Sequence, residues 1–158
     1  MNASRKQAIL FLCLGNICRS PMAEGIFRHV VQEAGLADRF DIDSAATGSW
    51  HIGHPPDPRA IDAAGSHGVD ISGQRCRRLE EDDFSTFDWL ICMDHSNLDD
   101  VTALQPPGTR ARVELFLQFA LGKDQGVPDP YLDRFAGFED VCQLIYRASI
   151  GLLAKLAP

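Results

Sequence analysis

The 158-residue chain has no apolar stretch long enough to span a membrane, so we expect no transmembrane segment and no membrane partner. Positive charge is also scarce: 15 lysine and arginine residues against 22 aspartate and glutamate residues leave a formal net charge of −7. Nucleic acids and anionic membranes attract cationic faces, so this charge argues against both as partners. A site for an anion must therefore be built locally, from backbone dipoles and a few arginines.

Paired cysteines with zinc-ligand spacing are absent too. The five cysteines are an odd number and lie scattered along the chain, at Cys13, Cys18, Cys76, Cys92 and Cys142. Because a chain of this size can fold without disulfides, we expect mostly free thiols in the cytoplasm, with leaderless secretion left open. His51 and His54 have no third ligand at a suitable spacing, and no metal site is predicted.

Short apolar runs alternate with amphipathic segments along the chain. Strands are predicted over residues 8–12, 40–46 and 88–93, and residues 112–116 are ambiguous between strand and helix. Helices are predicted over residues 20–35, 59–67 and 97–104 and from residue 138 onward. This alternation is typical of a parallel sheet with helices on both faces, and no repeat or linker divides the chain. We therefore predict a single three-layer α/β domain over residues 1–158.

The loop after the first strand carries a cysteine and an arginine separated by five residues, Cys13 and Arg19. In α/β sheets ligands bind at the carboxyl ends of the strands. A loop running from a strand into a helix start turns backbone N–H groups inward and forms an anion-binding nest. Arg19 can donate two parallel hydrogen bonds to a phosphoryl group, and the positive field favours the nucleophilic thiolate of Cys13. The sequence therefore predicts cysteine-based phosphoryl chemistry.

The other loop residues are predicted to help bind phosphate: Leu14, Gly15, Asn16, Ile17, Cys18 and Ser20. Gly15 and Asn16 are residue types that tolerate left-handed backbone. Ser20 is expected either to donate its hydroxyl to the thiolate or to cap the helix. The alternative is that Cys13 is an ordinary buried thiol and Arg19 a solvated residue, which the strand–loop–helix context disfavours.

Residues 13–24, Cys-Leu-Gly-Asn-Ile-Cys-Arg-Ser-Pro-Met-Ala-Glu, resemble the signature of the low-molecular-weight protein tyrosine phosphatases. The resemblance continues at residues 47–51, 87–88, 93–94 and 129–131 and covers nearly the whole chain. It implies a four-stranded parallel sheet with helices on both faces, a flavodoxin-like fold of the phosphotyrosine phosphatase I-like type. It also implies hydrolysis of phosphotyrosine through a phosphocysteine intermediate, with no metal or cofactor.

The same resemblance implies that Asp129 is the general acid and later activates water. From the residues alone, Asp129 is one of many acidic side chains, favoured by its place between two prolines in a long loop. Trp50 and Tyr131 lie on long loops, and aromatic walls around a cleft would select a flat phosphorylated ring. Ile17 completes the predicted substrate cleft. It favours tyrosine, because relatives similar to phosphoarginine phosphatases tend to have Thr at the matching position.

Several alternatives stay open. Cys18 is either a packing thiol or, as in the family, a redox partner that traps oxidised Cys13 in a reversible disulfide. The chain could be an arsenate reductase using Cys76 or Cys92, a phosphoarginine phosphatase, or a non-catalytic phosphotyrosine-binding module. The presence of nucleophile, arginine and acid disfavours the binding module, and Asp129-Pro130-Tyr131 with Trp50 fits an aryl phosphate better than arsenate. We therefore predict a phosphatase of phosphotyrosine proteins, with a tyrosine kinase as one candidate substrate. The sequence leaves a monomer and a weak dimer open.

Two positions depart from the family pattern. Gln74 stands where many relatives have His, which puts a supporting hydrogen-bond network in question. Leu132 follows Tyr131 where many relatives have another aromatic residue or Gly, which weakens inferences about substrate preference. Arg77, by contrast, matches a family position expected to be buried against an acid.

Overall fold

A computed structural model describes residues 5–131 and 137–158 and contains a four-stranded parallel sheet with helices on both faces. The elements are β1 (Gln7–Cys13), α1 (Arg19–Glu33), a 3₁₀ turn (Ala37–Arg39), β2 (Phe40–Ala46), α2 (Pro58–Gly65), α3 (Asp83–Thr86), β3 (Trp89–Cys92), α4 (His95–Leu104), β4 (Arg112–Leu115), α5 (Phe116–Leu121) and α6 (Phe138–Leu156). The strand order is β2-β1-β3-β4, as in flavodoxin-like sheets, and it confirms the predicted α/β fold.

Strand β1 is buried on both faces, as its continuous apolar run predicts. Ile9 and Phe11 pack into one core with residues of α1, α2, α5 and α6. Leu10 and Leu12 pack into a second core, which includes residues of α3 and α4. Because successive side chains point to opposite faces of the strand, β1 packs against both helical layers.

Most predicted boundaries are shifted by one or two residues, and two differences are informative. Helix α1 begins at Arg19, so Pro21 lies inside its first turn, and the helix ends before Gly35, whose φ is +73°. The ambiguous segment from Arg112 is both elements in succession, because β4 ends at Leu115 and α5 begins at Phe116. Helices α3 and α5 were not predicted, since four and six residues are too few to show a helical period.

The topology determines where the functional residues meet. Because all four strands are parallel, their carboxyl ends share one edge of the sheet. β1 pairs with β2 through Cys13 and Ala46, and with β3 through Leu12 and Cys92. The loop after β1 thus lies where the strand order reverses, which is the usual ligand position in open α/β sheets. Among the described residues, no helix is both long and apolar enough to cross a membrane.

Candidate active site

The loop from Cys13 to Arg19 wraps tightly between β1 and α1. Cys13 is the last residue of the strand, and Arg19 is the first residue of the helix. Asn16 has φ of +55°, and among the described residues it is the one non-glycine in the left-handed region. Gly15 passes close to His51, where a Cβ would lie 3.3 Å from the imidazole Cδ2. The predicted need for residues that tolerate a tight loop is confirmed at Asn16.

Two hydrogen-bond partners meet the sulfur of Cys13. The backbone N–H of Asn16 donates to Sγ over 3.2 Å, and the hydroxyl of Ser20 lies 3.0 Å from it. The backbone N–H of Arg77 donates to Asn16 Oδ1 and so fixes the orientation of the Asn16 side-chain amide. In this orientation Asn16 Nδ2 donates to Ser20 Oγ (2.8 Å) and to Ser44 Oγ (3.0 Å). Because Ser20 accepts from Asn16, its own proton is free to point at the sulfur. This arrangement places two polar hydrogens against the Cys13 sulfur.

The network continues into a buried carboxyl group. Ser44 donates its hydroxyl proton to Glu24 Oε1 over 2.7 Å, and Arg28 lies 3.0 Å from Glu24 Oε2. Burial raises the pKa of Glu24. Gln74, the residue that departs from the family pattern, donates its side-chain N–H to the carbonyl oxygen of Pro21, in the first turn of α1. The loop is therefore supported through β2 and α1.

Arg19 is buried and held from two sides. Its Nη1 donates to Asp94 Oδ2 (2.8 Å) and to the carbonyl of Val127 (2.9 Å), and its Nη2 lies 3.7 Å from Asp129 Oδ2. Burial acts to lower the pKa of Arg19, but the facing sulfur of Cys13 and the Asp94 carboxylate outweigh it and raise the pKa. The guanidinium therefore stays charged beside the Cys13 sulfur.

Asp94 is a site residue to which sequence reasoning gave no role. It caps α4, because its Oδ1 accepts the backbone N–H of Asn97 over 2.8 Å, while Oδ2 holds Arg19. The loop after α5 passes close to Asp94 at Gly126, where a Cβ would lie 2.8 Å from Asp94 Cβ. The position of Asp94 in the sequence could have indicated this role. Asp94 comes just after buried strand β3, as the loop from Cys13 comes just after β1.

A cavity of about 160 Å³ opens above the loop. Its wall brings together nearly all the predicted site residues: Cys13, Leu14, Gly15, Asn16, Ile17, Cys18, Arg19, Trp50, Asp129 and Tyr131. It also includes His51, which was not predicted as a site residue. Trp50 is 68% exposed and Tyr131 is 50% exposed, so both aromatic rings stand at the rim. Asp129 Oδ1 accepts the backbone N–H of Tyr131 over 3.0 Å. Ser20 is fully buried behind the loop and contacts the Cys13 sulfur rather than the cavity.

A second connection that was not predicted joins the loop to the rim. The backbone N–H of Asp57 donates to the carbonyl of Ile17 over 2.8 Å. Arg59 donates to both carboxylate oxygens of Asp57, over 3.1 and 2.9 Å, which lowers the pKa of Asp57. The Arg59 guanidinium also lies 5.6 Å from the ring centroid of Tyr131. The start of α2 therefore links the loop from Cys13 to Arg19 with the loop that carries Asp129 and Tyr131.

All five cysteines are free and buried. Cys18 lies in the cavity wall, and burial is the main cause of its raised pKa. Cys76 donates its thiol to the carbonyl of Gly15 over 3.2 Å. Cys92 and Cys142 fill the two cores, where burial raises the pKa of both thiols, that of Cys142 to about 11. Cys76, Cys92 and Cys142 therefore all occupy buried positions.

Of the remaining positions considered from the sequence, His51 lines the cavity, and His54 and Arg77 lie outside its lining. His51 and His54 have ring centroids 6.0 Å apart, and within the described ranges no group of three or more His, Cys, Asp or Glu side chains could hold a metal ion. Arg77 is partly buried and pairs with two acids, Asp43 (3.1 Å) and Asp83 (3.0 Å), as expected. Leu132 lies outside the described residues.

The fold and the site can be compared with known proteins. The family model described as low molecular weight phosphotyrosine protein phosphatase matches residues 8–158. A relative of that name from Schizosaccharomyces pombe is 47% identical over 134 residues, which cover 84% of this chain and 85% of the relative.

Solved structures agree with the match. The crystal structure of YfkJ from Bacillus subtilis superposes with a TM-score of 0.89 at 37% identity, over 98% of this chain and 96% of that one. The crystal structure of DARP, a Drosophila arginine phosphatase, has a TM-score of 0.85 at 31% identity, over 95% and 98%. The chain therefore belongs to the low molecular weight phosphotyrosine protein phosphatase family.

Proposed function

We propose that this protein tyrosine phosphatase acts through Cys13 as nucleophile, Arg19 as phosphate-binding group and Asp129 as general acid and base. One observation carries the proposal most directly: the Cys13 sulfur lies in a cavity wall shared with Arg19 and Asp129 and is approached by two hydrogen-bond donors. Phosphotyrosine proteins are the substrate class of this family.

In the first step the thiolate of Cys13 attacks phosphorus in line with the tyrosine oxygen. The sulfur–phosphorus bond forms as the phosphorus–oxygen bond breaks, and Asp129 gives its proton to the departing phenolate. Asp129 Oδ1 already accepts the Tyr131 N–H, so Oδ2 is the oxygen available to carry that proton. The backbone N–H groups of the loop and the Arg19 guanidinium bind the equatorial phosphoryl oxygens.

In the second step a water molecule attacks the phosphocysteine. Asp129, now a carboxylate, takes a proton from that water, and the sulfur–phosphorus bond breaks to release inorganic phosphate. The departing thiolate of Cys13 is again stabilised by Asn16 N–H and Ser20 O–H. The fixed donors therefore serve both the attack on phosphorus and the departure of sulfur.

We further propose that the rim selects aryl phosphates. Ile17, Trp50 and Tyr131 line the cavity with apolar and aromatic surface, and Ile17 offers no hydroxyl to a guanidinium group. Hydrolysis of phosphoarginine is the second candidate, since one similar structure is named an arginine phosphatase. Comparing kcat/KM for phosphotyrosine and phosphoarginine peptides separates the two. Preference for the tyrosine peptide supports our proposal, and preference for the arginine peptide overturns it.

We also propose that Cys18 protects the nucleophile in a reducing compartment such as the cytoplasm. Peroxide would oxidise the Cys13 thiolate to a sulfenic acid, and Cys18 would then displace water to form a disulfide that dithiothreitol reduces. The raised pKa of Cys18 keeps it a neutral thiol at rest, so it does not compete for substrate phosphorus. After peroxide treatment, dithiothreitol should restore wild-type activity and fail to restore that of Cys18→Ser. Equal recovery in both would contradict this role.

Mutation of the nucleophile provides the test of the catalytic assignment. Cys13→Ser should abolish hydrolysis of phosphotyrosine peptides and of p-nitrophenyl phosphate, while Cys142→Ser, a change at a core cysteine, should leave it within about twofold. Full turnover by Cys13→Ser would overturn the assignment.

A tyrosine kinase is one substrate we propose testing, as its autophosphorylated form supplies phosphotyrosine in a folded protein.

A further inference from the structure

A wide groove lies at the edge of the sheet opposite the active site. We call it the basic groove, and it is lined by Arg5, Lys6, Gln7, Arg39, Asp88, Trp89, Arg110 and Arg112. Its volume is about 750 Å³, against 160 Å³ for the active-site cavity. Gln7, Trp89 and Arg112 are the first residues of β1, β3 and β4, so the groove follows the amino ends of the strands.

Charge in the groove opposes the charge of the whole chain. Five of the 15 lysine and arginine residues line it, together with one carboxylate, Asp88, while the chain as a whole carries −7. Asp88 lies between Arg5 (3.6 Å) and Arg110 (3.5 Å), and its Oδ2 accepts the backbone N–H of Ala8. One carboxylate therefore cannot neutralise the cations around it.

Ion pairs at the margin do not cancel this excess. Lys6 lies 3.5 Å from Asp41, and Arg112 lies 3.8 Å from Glu114. The two cations are 48% and 65% exposed, and exposed ion pairs of this kind are weak and screened by salt. Such cations remain available to an incoming anion.

The groove fits an extended charged ligand better than a flat aromatic one. The Trp89 ring is covered by Phe119, at 5.0 Å between centroids, and by the Arg112 guanidinium at 4.7 Å. Little of the ring remains for a flat ligand to stack on. The lining reaches from Arg39, which precedes β2, across β1 and β3 to β4, a width of about 14 Å at the usual strand spacing. This width matches about four residues of extended chain.

We propose that the basic groove is a docking surface for an acidic, extended segment of a partner protein. Guanidinium groups pair with carboxylates in parallel hydrogen bonds, which suits a run of Asp and Glu residues. A long polyanion such as nucleic acid would meet the repulsion of the chain's net −7, whereas a short segment senses chiefly the local cations. Strand β1 separates the groove from Cys13 by about 20 Å, so docking leaves the active site open.

The test is direct binding, which does not depend on catalysis. A fluorescein-labelled octapeptide of alternating Glu and Asp is titrated with the wild-type chain, beside the matching peptide of Gln and Asn. We compare wild type with Arg39→Glu/Arg110→Glu. The control is Arg75→Glu/Arg147→Glu, which makes the same charge change at exposed arginines outside the groove lining. Hydrolysis of p-nitrophenyl phosphate confirms that each variant is folded.

The acidic peptide should bind wild type and the control with an affinity that falls as salt is added. The groove variant should bind at least about tenfold more weakly, and the amide peptide should not bind. No binding to wild type, or equal loss in the control, would overturn the proposal. Binding of a double-stranded DNA oligonucleotide as tight as that of the peptide would overturn the assignment to a protein segment.

Discussion

At the scale of single residues, the chemistry depends on which protons point at the sulfur of Cys13. The sequence predicted Cys13, Arg19 and the loop between them, because residue type and spacing carry that information. It left two roles open for Ser20, since the choice depends on the Asn16 amide. That amide is oriented by Arg77, 61 residues away in the chain. The structure supports the donor role, because the N-cap residue of α1 is Cys18.

Removing this donor should weaken the nucleophile without disturbing the fold. We expect Ser20→Ala to lower kcat for p-nitrophenyl phosphate about 10- to 100-fold, since a hydrogen bond to a charged group contributes about 1.5–3 kcal/mol. The rate of Cys13 alkylation by iodoacetate should fall as well. Ser149→Ala is the matched control, because Ser149 is a buried serine whose hydroxyl has no partner among the described residues. Equal activity of Ser20→Ala and wild type would contradict the donor role.

Glu24 links the same network to the pH dependence of stability. Its pKa is raised by burial, so the folded protein holds this proton more tightly than the unfolded chain. The resulting stabilisation is fully present below the unfolded pKa and is lost as pH rises through the folded pKa. Relative to Glu24→Gln, wild type should therefore lose unfolding free energy as pH rises from about 4.5 towards neutrality. Urea unfolding of both proteins across that range measures it; a constant difference would contradict the shift.

At the scale of elements, the strands and the longer helices could be predicted, and the short helices α3 and α5 could not. Strand β2 occupies the predicted residues 40–46, and α6 begins at the predicted Phe138. The junction of β4 and α5 has no intervening loop, so the sequence gives neither a turn signal nor a long enough period there. The same limit concealed the contact between Asp94 and Arg19, which depends on how closely the loop after α5 passes the end of β3.

Gly126 tests that close passage. In Gly126→Ala the new Cβ would meet Asp94 Cβ at 2.8 Å, so Asp94 must move away from Arg19. We expect kcat to fall about tenfold and stability to fall by about 1–3 kcal/mol, as for other overpacked sites. Gly65→Ala at the end of α2 is the control, since nothing lies within 4 Å of a Cβ there, and it should be neutral or slightly stabilising. Unchanged kcat in Gly126→Ala would show that Asp94 does not position Arg19.

At the scale of the whole molecule, the order of the strands determines which residues lie together at each end of the sheet. The reversal at β1 gathers Cys13, Arg19 and Asp129 at one edge of the sheet, and alternation of strands and helices was enough to predict that edge. The same order gathers Arg5, Arg39 and Arg110 at the opposite edge. No local pattern links those three arginines, so the basic groove could not be predicted from the sequence.

The most direct measurement of the central claim is capture of the covalent intermediate. In Asp129→Ala, p-nitrophenolate still departs readily because it needs no proton from an acid, but water attack loses its base, so the phosphoenzyme should accumulate. Rapid acid quench followed by peptide mass spectrometry should find the phosphoryl group on Cys13 in Asp129→Ala and find none in Cys13→Ser/Asp129→Ala. A phosphoryl group on another residue, or turnover with none on Cys13, would contradict the assigned mechanism.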